Sequence, residues 1–442
     1  MNDANQPLSP LGDSTDPTEL TLDWGMTSLP LSDTPANFFV MGAIGSGKDI
    51  SLRLLMQSAL RMVGTVADHR ALIFDPKGNM ESLPCGIDLR CPVHLLNPFD
   101  RRGAAWDIAA DISSPTAALR LAASLIPEDD LSAQPFFTDA ARQLLAAACL
   151  SFHQMAPGRW TLRDVLLGAQ SRERLHSILA RGPDTAVAAQ SFLSGERHGT
   201  NVLATLNAKL HPLEAIAACW QDATNKLSLK RWLTEESVIL LADPPVHHNS
   251  IAPVNQAIFG CLADLTLAHQ ESPGRRTWIF LDEVDAVGPF DSLPPLMQRG
   301  RPKGVCVALG FRGIDGIRRH YGPQAAEQLT ESCSHKTALR TDNPETADWA
   351  ERHFGPPLRA ADLMSLPLTG PEHGFTAIHE IPKTGTHGAH RSWDWVQSKL
   401  RPPKEIDPAQ FLRPPDEPHL RDWTDEDYRR LGFDDPPPSS PG

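Results

Sequence analysis

Asn37-Phe38-Phe39-Val40-Met41-Gly42-Ala43-Ile44-Gly45-Ser46-Gly47-Lys48-Asp49 is the stretch that decides the fold. Its first five residues form a short apolar run that reads as a buried strand, and glycines 42, 45 and 47 crowd the turn ahead of Lys48. Beyond the lysine, Ile50, Leu52, Leu54, Leu55, Leu60 and Met62 supply the apolar positions of a helix. Strand, glycine turn and helix in that order make a phosphate loop. Glycines let backbone N–H groups turn toward an anion, the helix N-terminus favours negative charge, and Lys48 reaches the β and γ phosphates of a nucleotide. The predicted phosphate contacts are therefore Gly42, Ala43, Ile44, Gly45, Ser46, Gly47, Lys48 and Asp49. The pattern departs at Asp49, where a hydroxyl normally binds magnesium. An aspartate there can ligate Mg2+ itself, or serve only as a first-turn carboxylate that favours the helix end.

Working outward, Ala71-Leu72-Ile73-Phe74 is a second buried strand that ends at Asp75-Pro76-Lys77-Gly78, which completes an opening βαβ unit. From about 115 to 225 Ala- and Leu-rich periodic segments take over without a convincing strand. The α/β pattern then returns with strands at 237–242, 277–281 and 305–310, a helix at about 252–269, and a weaker strand at 335–340. The expected organisation is one α/β nucleotide-binding domain, residues 19–112 and 226–385, interrupted by an all-α domain at 113–225. Residues 1–18 and 386–442 read as tails, the first disordered and the second Pro-rich and acidic.

Asp282-Glu283 follows the apolar strand at 277–281 and has the form of a nucleotide-site acidic pair. Asp282 would hold magnesium and Glu283 would polarise an attacking water. Further on, Gln298, Arg299, Arg301 and Lys303 make a basic loop, and one reading of it is a subunit edge whose arginine reaches a neighbour's γ-phosphate. The net charge of −13 excludes a protein that coats nucleic acid with its whole surface but leaves room for a basic channel. Seven cysteines without a C-x-x-C pair read as reduced thiols, and the histidines match no metal-ligand spacing. No run approaches the ~18–20 continuous apolar residues of a membrane span, and the polar start lacks the regions of a signal peptide, so the expected location is cytoplasmic.

Over roughly 20 to 355 the chain resembles the coupling proteins of conjugation and type IV secretion. The resemblance is carried by 42–48, Asp75-Pro76-Lys77-Gly78, Leu96-Asn97-Pro98-Phe99-Asp100 with Trp106, Pro135-Phe136-Phe137, Ala141-Arg142, Leu281-Asp282-Glu283, Leu293-Pro294-Pro295-Leu296, Gly300-Arg301-Pro302-Lys303-Gly304 and Tyr321-Gly322. It implies a RecA-like P-loop domain of the additional-strand type with an inserted all-α domain. It also implies a homo-hexameric ring that hydrolyses ATP with Mg2+ and moves DNA, with a relaxase or secretion-system components as partners. Under this resemblance Lys48, Glu283 and Arg301 are catalytic, Arg301 acting across the subunit boundary. Asp282 and Asp49 hold the metal, and Asp75 and Arg312 line the nucleotide. Two features depart from the family. Its N-terminal membrane helices have no counterpart here, which points either to a soluble form or to one that a separate membrane anchor holds peripherally at the inner membrane. Arg312 also stands where the family has a glutamine that senses the γ-phosphate. Together with Asp49, this leaves open a nucleotide-binding adaptor that does not hydrolyse.

Overall fold

A computed structural model describes residues 20–76, 86–87, 89–128, 135–285, 289–402, 411–413 and 419–433. Its strands are β1 (Thr21–Trp24), β2 (Thr27–Pro30), β3 (Phe38–Met41), β4 (His69–Asp75), β5 (Val93–Leu96), β6 (Ala105–Trp106), β7 (Lys226–Leu227), β8 (Val238–Ala242), β9 (Arg276–Leu281), β10 (Val305–Phe311), β11 (His335–Ala338), β12 (Phe375–Ile381) and β13 (Gly385–Arg391). Residues divide into two units, the first comprising 1–94, 235–242 and 266–406, the second 95–234, 243–265 and 407–442.

The first unit is organised by a nine-stranded sheet in the order β13-β12-β11-β3-β10-β9-β4-β8-β5. Strands β11, β3, β10, β9, β4 and β8 run parallel, whereas β12 and β13 are antiparallel additions at one edge. Every residue of β3, β4, β8, β9 and β10 is buried, which explains why these strands read as continuous apolar runs rather than alternating ones. Strand β10 lies between β3, which leads into the glycine turn, and β9, which leads into the acidic pair. One strand inserted between those two is the additional-strand arrangement of a RecA-like domain.

Helix α1 (Lys48–Leu60) follows the glycine turn directly. Its buried face, including Leu52, Leu55, Ala59 and Leu60, carries the apolar spacing seen in the sequence. A small antiparallel pair, β1 and β2, is fixed to this helix where the Ser58 hydroxyl accepts the N–H of Asp23 at 3.0 Å.

The second unit is helical, and among the described residues of 115–225 there is no strand. The helix Pro135–Met155 is its spine, burying Leu144, Leu145, Cys149 and Phe152. Asp111 is buried in the same unit and accepts the Trp106 indole N–H at 2.8 Å, the Ser228 hydroxyl at 2.8 Å and the Leu229 N–H at 2.8 Å. Composition reads 386–442 as a tail, yet the first unit contains most of β13 and a helix Trp393–Lys399 within it. A helix Asp425–Leu431 likewise folds onto the second unit, because its flanking Trp423 is buried and its carboxylates meet arginines there.

Helix Pro245–Ala268 is long and apolar enough to cross a membrane by length and composition, but 61% of its most apolar window is buried inside the fold. The six described cysteines are free, and the described residues contain no metal-ligating cluster. Cys85, Lys77 and Gly78 lie outside the described residues.

Candidate functional site

Parallel strands expose their carbonyl ends at one edge of a sheet, and ligands of open α/β folds collect there. Four chains end at that edge with chemistry: β3 in the glycine turn, β4 in Asp75, β9 in Asp282-Glu283 and β10 in Arg312. Strand register fixes their level. Phe311 of β10 pairs with Met41 of β3, and Leu309 pairs with Leu281 of β9, so Gly42, Asp282 and Arg312 emerge side by side.

The turn is held from three sides. The Gly42 N–H donates to the Phe311 carbonyl at 3.1 Å and the Ala43 N–H to the Arg340 carbonyl at 2.8 Å. Thr369, far away in sequence, donates its N–H to the Gly45 carbonyl at 3.0 Å and its hydroxyl to the Ser46 carbonyl at 2.6 Å. Gly47 has φ 98°, in the left-handed region, and a Cβ added there would come within 2.7 Å of the Thr369 hydroxyl. Glycine is required on both counts.

Turned this way, the backbone N–H groups of Gly45, Gly47, Lys48 and Asp49 find no acceptor among the described residues. The Ser46 hydroxyl is buried and likewise unpartnered. Donors at a helix N-terminus with nothing to donate to form a cradle for an anion, and a phosphate fits it.

Lys48 is 6% exposed and its ammonium hydrogen-bonds Asp282, which is 4% exposed. The sequence placed these two residues 234 positions apart, and the fold brings them into contact. Gly310 of β10 makes room for this pairing, since a Cβ there would overlap the Asp282 carboxylate. Asp49 lies on the first turn of α1 with its carboxylate 3.4 Å from the Lys48 ammonium and largely in solvent.

Glu283 is buried and has φ 54°, a conformation that a non-glycine residue adopts at a cost and that clusters at functional sites. Its carboxylate accepts from the Arg312 guanidinium at 2.7 Å. Through this bond, first of all, the guanidinium pKa is raised. The site also contains a carboxylate the sequence reading did not single out. Asp285 accepts the Arg312 backbone N–H at 3.0 Å, and burial raises its pKa against the pull of that bond and of Lys48. The available signal was its position three residues after Asp282. Thr369 had none.

Asp75 sits buried at the end of β4, level with Ala242 of β8. Arg301 does not join the cluster. It opens a short 3-10 turn, Arg301–Lys303, just before β10, so the length of a seven-residue strand, roughly 23 Å at ~3.3 Å per residue, separates it from its own loop. It is exposed, and its guanidinium makes no hydrogen bond or ion pair among the described residues.

Comparison with known proteins agrees with this geometry. The model of the type IV secretion-system coupling protein DNA-binding domain matches residues 22–357. Among curated proteins, the coupling protein TraD of Escherichia coli K12 is 23% identical over 328 residues, covering 72% of this chain and 44% of that protein. A probable conjugal transfer protein TraG of Sinorhizobium fredii is 26% identical over 249 residues, covering 50% of this chain and 36% of its own length. This chain thus spans less than half of either relative. Among solved structures, unbound TrwBdeltaN70 superposes with a TM-score of 0.67 at 19% identity, over 86% of this chain and 89% of that one. TrwB in complex with ADP and Mg2+ gives 0.67 at 19%, over 90% and 93%.

Proposed function

From the premise that this chain belongs to the type IV secretion-system coupling protein family, we propose that it is an ATP-dependent DNA translocase that couples single- or double-stranded DNA to a transfer machinery. The observation that carries the proposal is the meeting of Lys48 and Asp282 beneath an anion cradle, with β10 between their strands. A relative of the same fold is a TrwB in complex with ADP and Mg2+, which supports the same pair of ligands here.

ATP with Mg2+ supplies the transferable phosphoryl group and the charge that polarises it. Lys48 exchanges its contact with Asp282 for the β and γ phosphates, and the N–H groups of Gly45, Gly47, Lys48 and Asp49 hold their oxygens. Asp282, with Asp49 in the place of the usual hydroxyl, holds the metal. Glu283 takes the proton of the attacking water, and Asp75 and Arg312 line the phosphate side of the pocket. Arg301, exposed and a strand's length from its own loop, completes the site of a neighbouring copy. That requirement favours a homo-hexameric ring with a basic channel at its centre, in a protein whose overall charge is −13. A relaxase or secretion-system component is the protein partner, and a separate membrane subunit would hold the ring at the cytoplasmic face of the inner membrane.

Two residues, Asp49 and Arg312, favour a second reading: an adaptor that binds nucleotide, cleaves it negligibly and recruits a relaxase. An ATPase assay with and without single-stranded DNA, run beside equilibrium nucleotide binding and a mass measurement across concentration, separates the two. Stimulated turnover lost in Glu283→Gln supports the motor. Tight binding with negligible turnover, restored by Asp49→Ser, supports the adaptor, and no binding at all would sink both.

A further inference from the structure

The donors of the anion cradle are backbone amides, and backbone flanked by glycine turns easily. Gly47 tolerates φ of either sign, so the peptide that links it to Ser46 could rotate and aim its carbonyl, rather than its N–H, at an incoming phosphate. A carbonyl there would repel the ligand that the amide attracts. The C=O and N–H of one trans peptide point in opposite directions, so whatever holds the carbonyl also aims the N–H.

Thr369 holds it. Its hydroxyl donates to the Ser46 carbonyl at 2.6 Å, and its own N–H donates to the neighbouring Gly45 carbonyl at 3.0 Å. The first bond leaves the Gly47 N–H on the opposite side, where it finds no acceptor among the described residues. The second leaves the Ser46 N–H to close the turn on the Ala43 carbonyl at 3.1 Å. One residue thus fixes two consecutive peptides, one through its backbone and one through its side chain.

The clamp is itself anchored. The Arg340 guanidinium donates to the Leu366 carbonyl at 3.0 Å while the Arg340 carbonyl accepts the Ala43 N–H at 2.8 Å, so a single residue ties the start of the clamp to the start of the turn. On its other side Gly370 and Gly374 exchange N–H···O bonds at 3.1 and 2.8 Å, and the Phe375 ring lies against Gly47, 2.8 Å from where a Cβ would stand. A residue held from both sides can impose an orientation instead of following one.

We propose that Thr369 is a positioning residue of the nucleotide site, whose hydroxyl keeps the Ser46–Gly47 peptide turned so that the Gly47 N–H meets a phosphate. It acts through that peptide and not on the ligand. The inference rests on the nucleotide reading above and adds to that site a residue 323 positions away from the serine it restrains.

The test uses the full chain and its Thr369→Val and Thr369→Ser variants. Equilibrium binding of ADP with Mg2+ is measured beside competition by pyrophosphate, which carries phosphates without a nucleoside, and beside thermal unfolding without ligand. Thr369→Val keeps the shape of the side chain and the backbone N–H but loses the hydroxyl. It should bind ADP about threefold to tenfold more weakly, the scale of one hydrogen bond, and pyrophosphate should lose the same factor. Thr369→Ser, which restores the hydroxyl, should recover both affinities. Parental affinity in Thr369→Val, whether or not its unfolding midpoint falls, overturns the proposal and leaves the nucleotide reading standing. So does a loss that Thr369→Ser shares in full, or one confined to ADP. Should Thr369→Val fail to fold, Arg340→Ala frees the Leu366 carbonyl with Thr369 in place. A loss of about twofold for both ligands then supports the clamp, and parental affinity for both overturns it. A parent chain that binds neither ADP nor pyrophosphate overturns the nucleotide reading, and this proposal with it.

Discussion

Each unit buries an acidic cluster against cations, and the two clusters are built to different ends. In the second unit the carboxylate of Asp164 is fully buried and saturated. It accepts from Thr161 at 2.8 and 2.9 Å, from the Trp423 indole at 2.9 Å and from both terminal nitrogens of Arg430 at 2.9 Å. Asp422 takes a bidentate pair from Arg174 at 2.8 and 2.6 Å, and Asp427 accepts from both terminal nitrogens of Arg163 on Oδ2 at 3.2 and 3.1 Å. Asp164 has nothing left to offer a ligand. In the first unit Asp282 and Glu283 lean on Lys48 and Arg312, cations that an incoming phosphate would claim. Saturation marks a scaffold, while contacts that a ligand can take over mark a site.

The sharpest way to break that comparison is to remove groups on the first side and look for loss of turnover without loss of fold. Arg301→Ala should lower DNA-stimulated turnover by roughly 10³-fold or more, the scale of an arginine acting in trans. Mixing it with Lys48→Ala should recover part of the activity, since in a mixed ring each copy supplies what the other lacks. Glu283→Gln comes next, with a loss on the order of 10²–10³ in kcat and retained affinity for ADP, because proton transfer is lost and phosphate binding is not. A Glu283→Gln variant with parental turnover would remove the glutamate from the mechanism.

On the other side, Asp164→Ala should leave ADP binding unchanged and cost the second unit about 3–5 kcal/mol, since Arg430 and the Trp423 indole would keep their burial without their acceptor. Chemical denaturation followed by tryptophan fluorescence reads this directly. Proteolysis near residue 420 should quicken in parallel. If Asp164→Ala abolished ADP binding with the fold intact, the division between scaffold and site would be wrong.

How much of this was legible beforehand follows from how each contact is specified. The chain from β3 through the glycine turn into α1 is specified locally, by an apolar run, glycines and helical spacing, and it reads directly. So does the meeting of Lys48 with Asp282, once β9 is recognised as a strand, because parallel strands deliver their ends to one edge. The Arg312–Glu283 pair was not legible, since it depends on the register between β9 and β10. The hairpin of β12 and β13 was hidden for another reason. Its buried positions are Phe375, Ala377, His379 and Ile381, while Ile378 takes a half-buried one, so the apolar alternation is blurred by a core histidine. β13 shows no apolar pattern of its own. The segment around Trp423 reads as solvated from composition because the arginines that hold its carboxylates, Arg163 and Arg174, lie some 250 residues earlier.

That core histidine gives the smallest and most selective test. His379 shares a hydrogen bond through Nδ1 with the Thr337 hydroxyl at 2.9 Å, and its Nε2 is buried without a partner. Burial, with His387 and Arg391 nearby, lowers its pKa to about 4. The native protein therefore keeps it neutral where the unfolded chain protonates it. Its share of stability is complete above about pH 6.5 and is lost as pH falls toward 4, amounting to about 1 kcal/mol lost by pH 5.5. The carboxylates of the second unit lose their share in the same direction but at lower pH. The hydrogen bond from Arg174 lowers Asp422, and for Asp427 the bonds from Arg163, Thr424 and Arg430 outweigh the effect of burial, so both stay charged throughout that window. His379→Asn should lower stability at neutral pH but flatten the first unit's loss between pH 6.5 and 4, whereas the second unit's melting should hold its pH dependence. Equal flattening in both units would mean that they do not unfold as separate bodies.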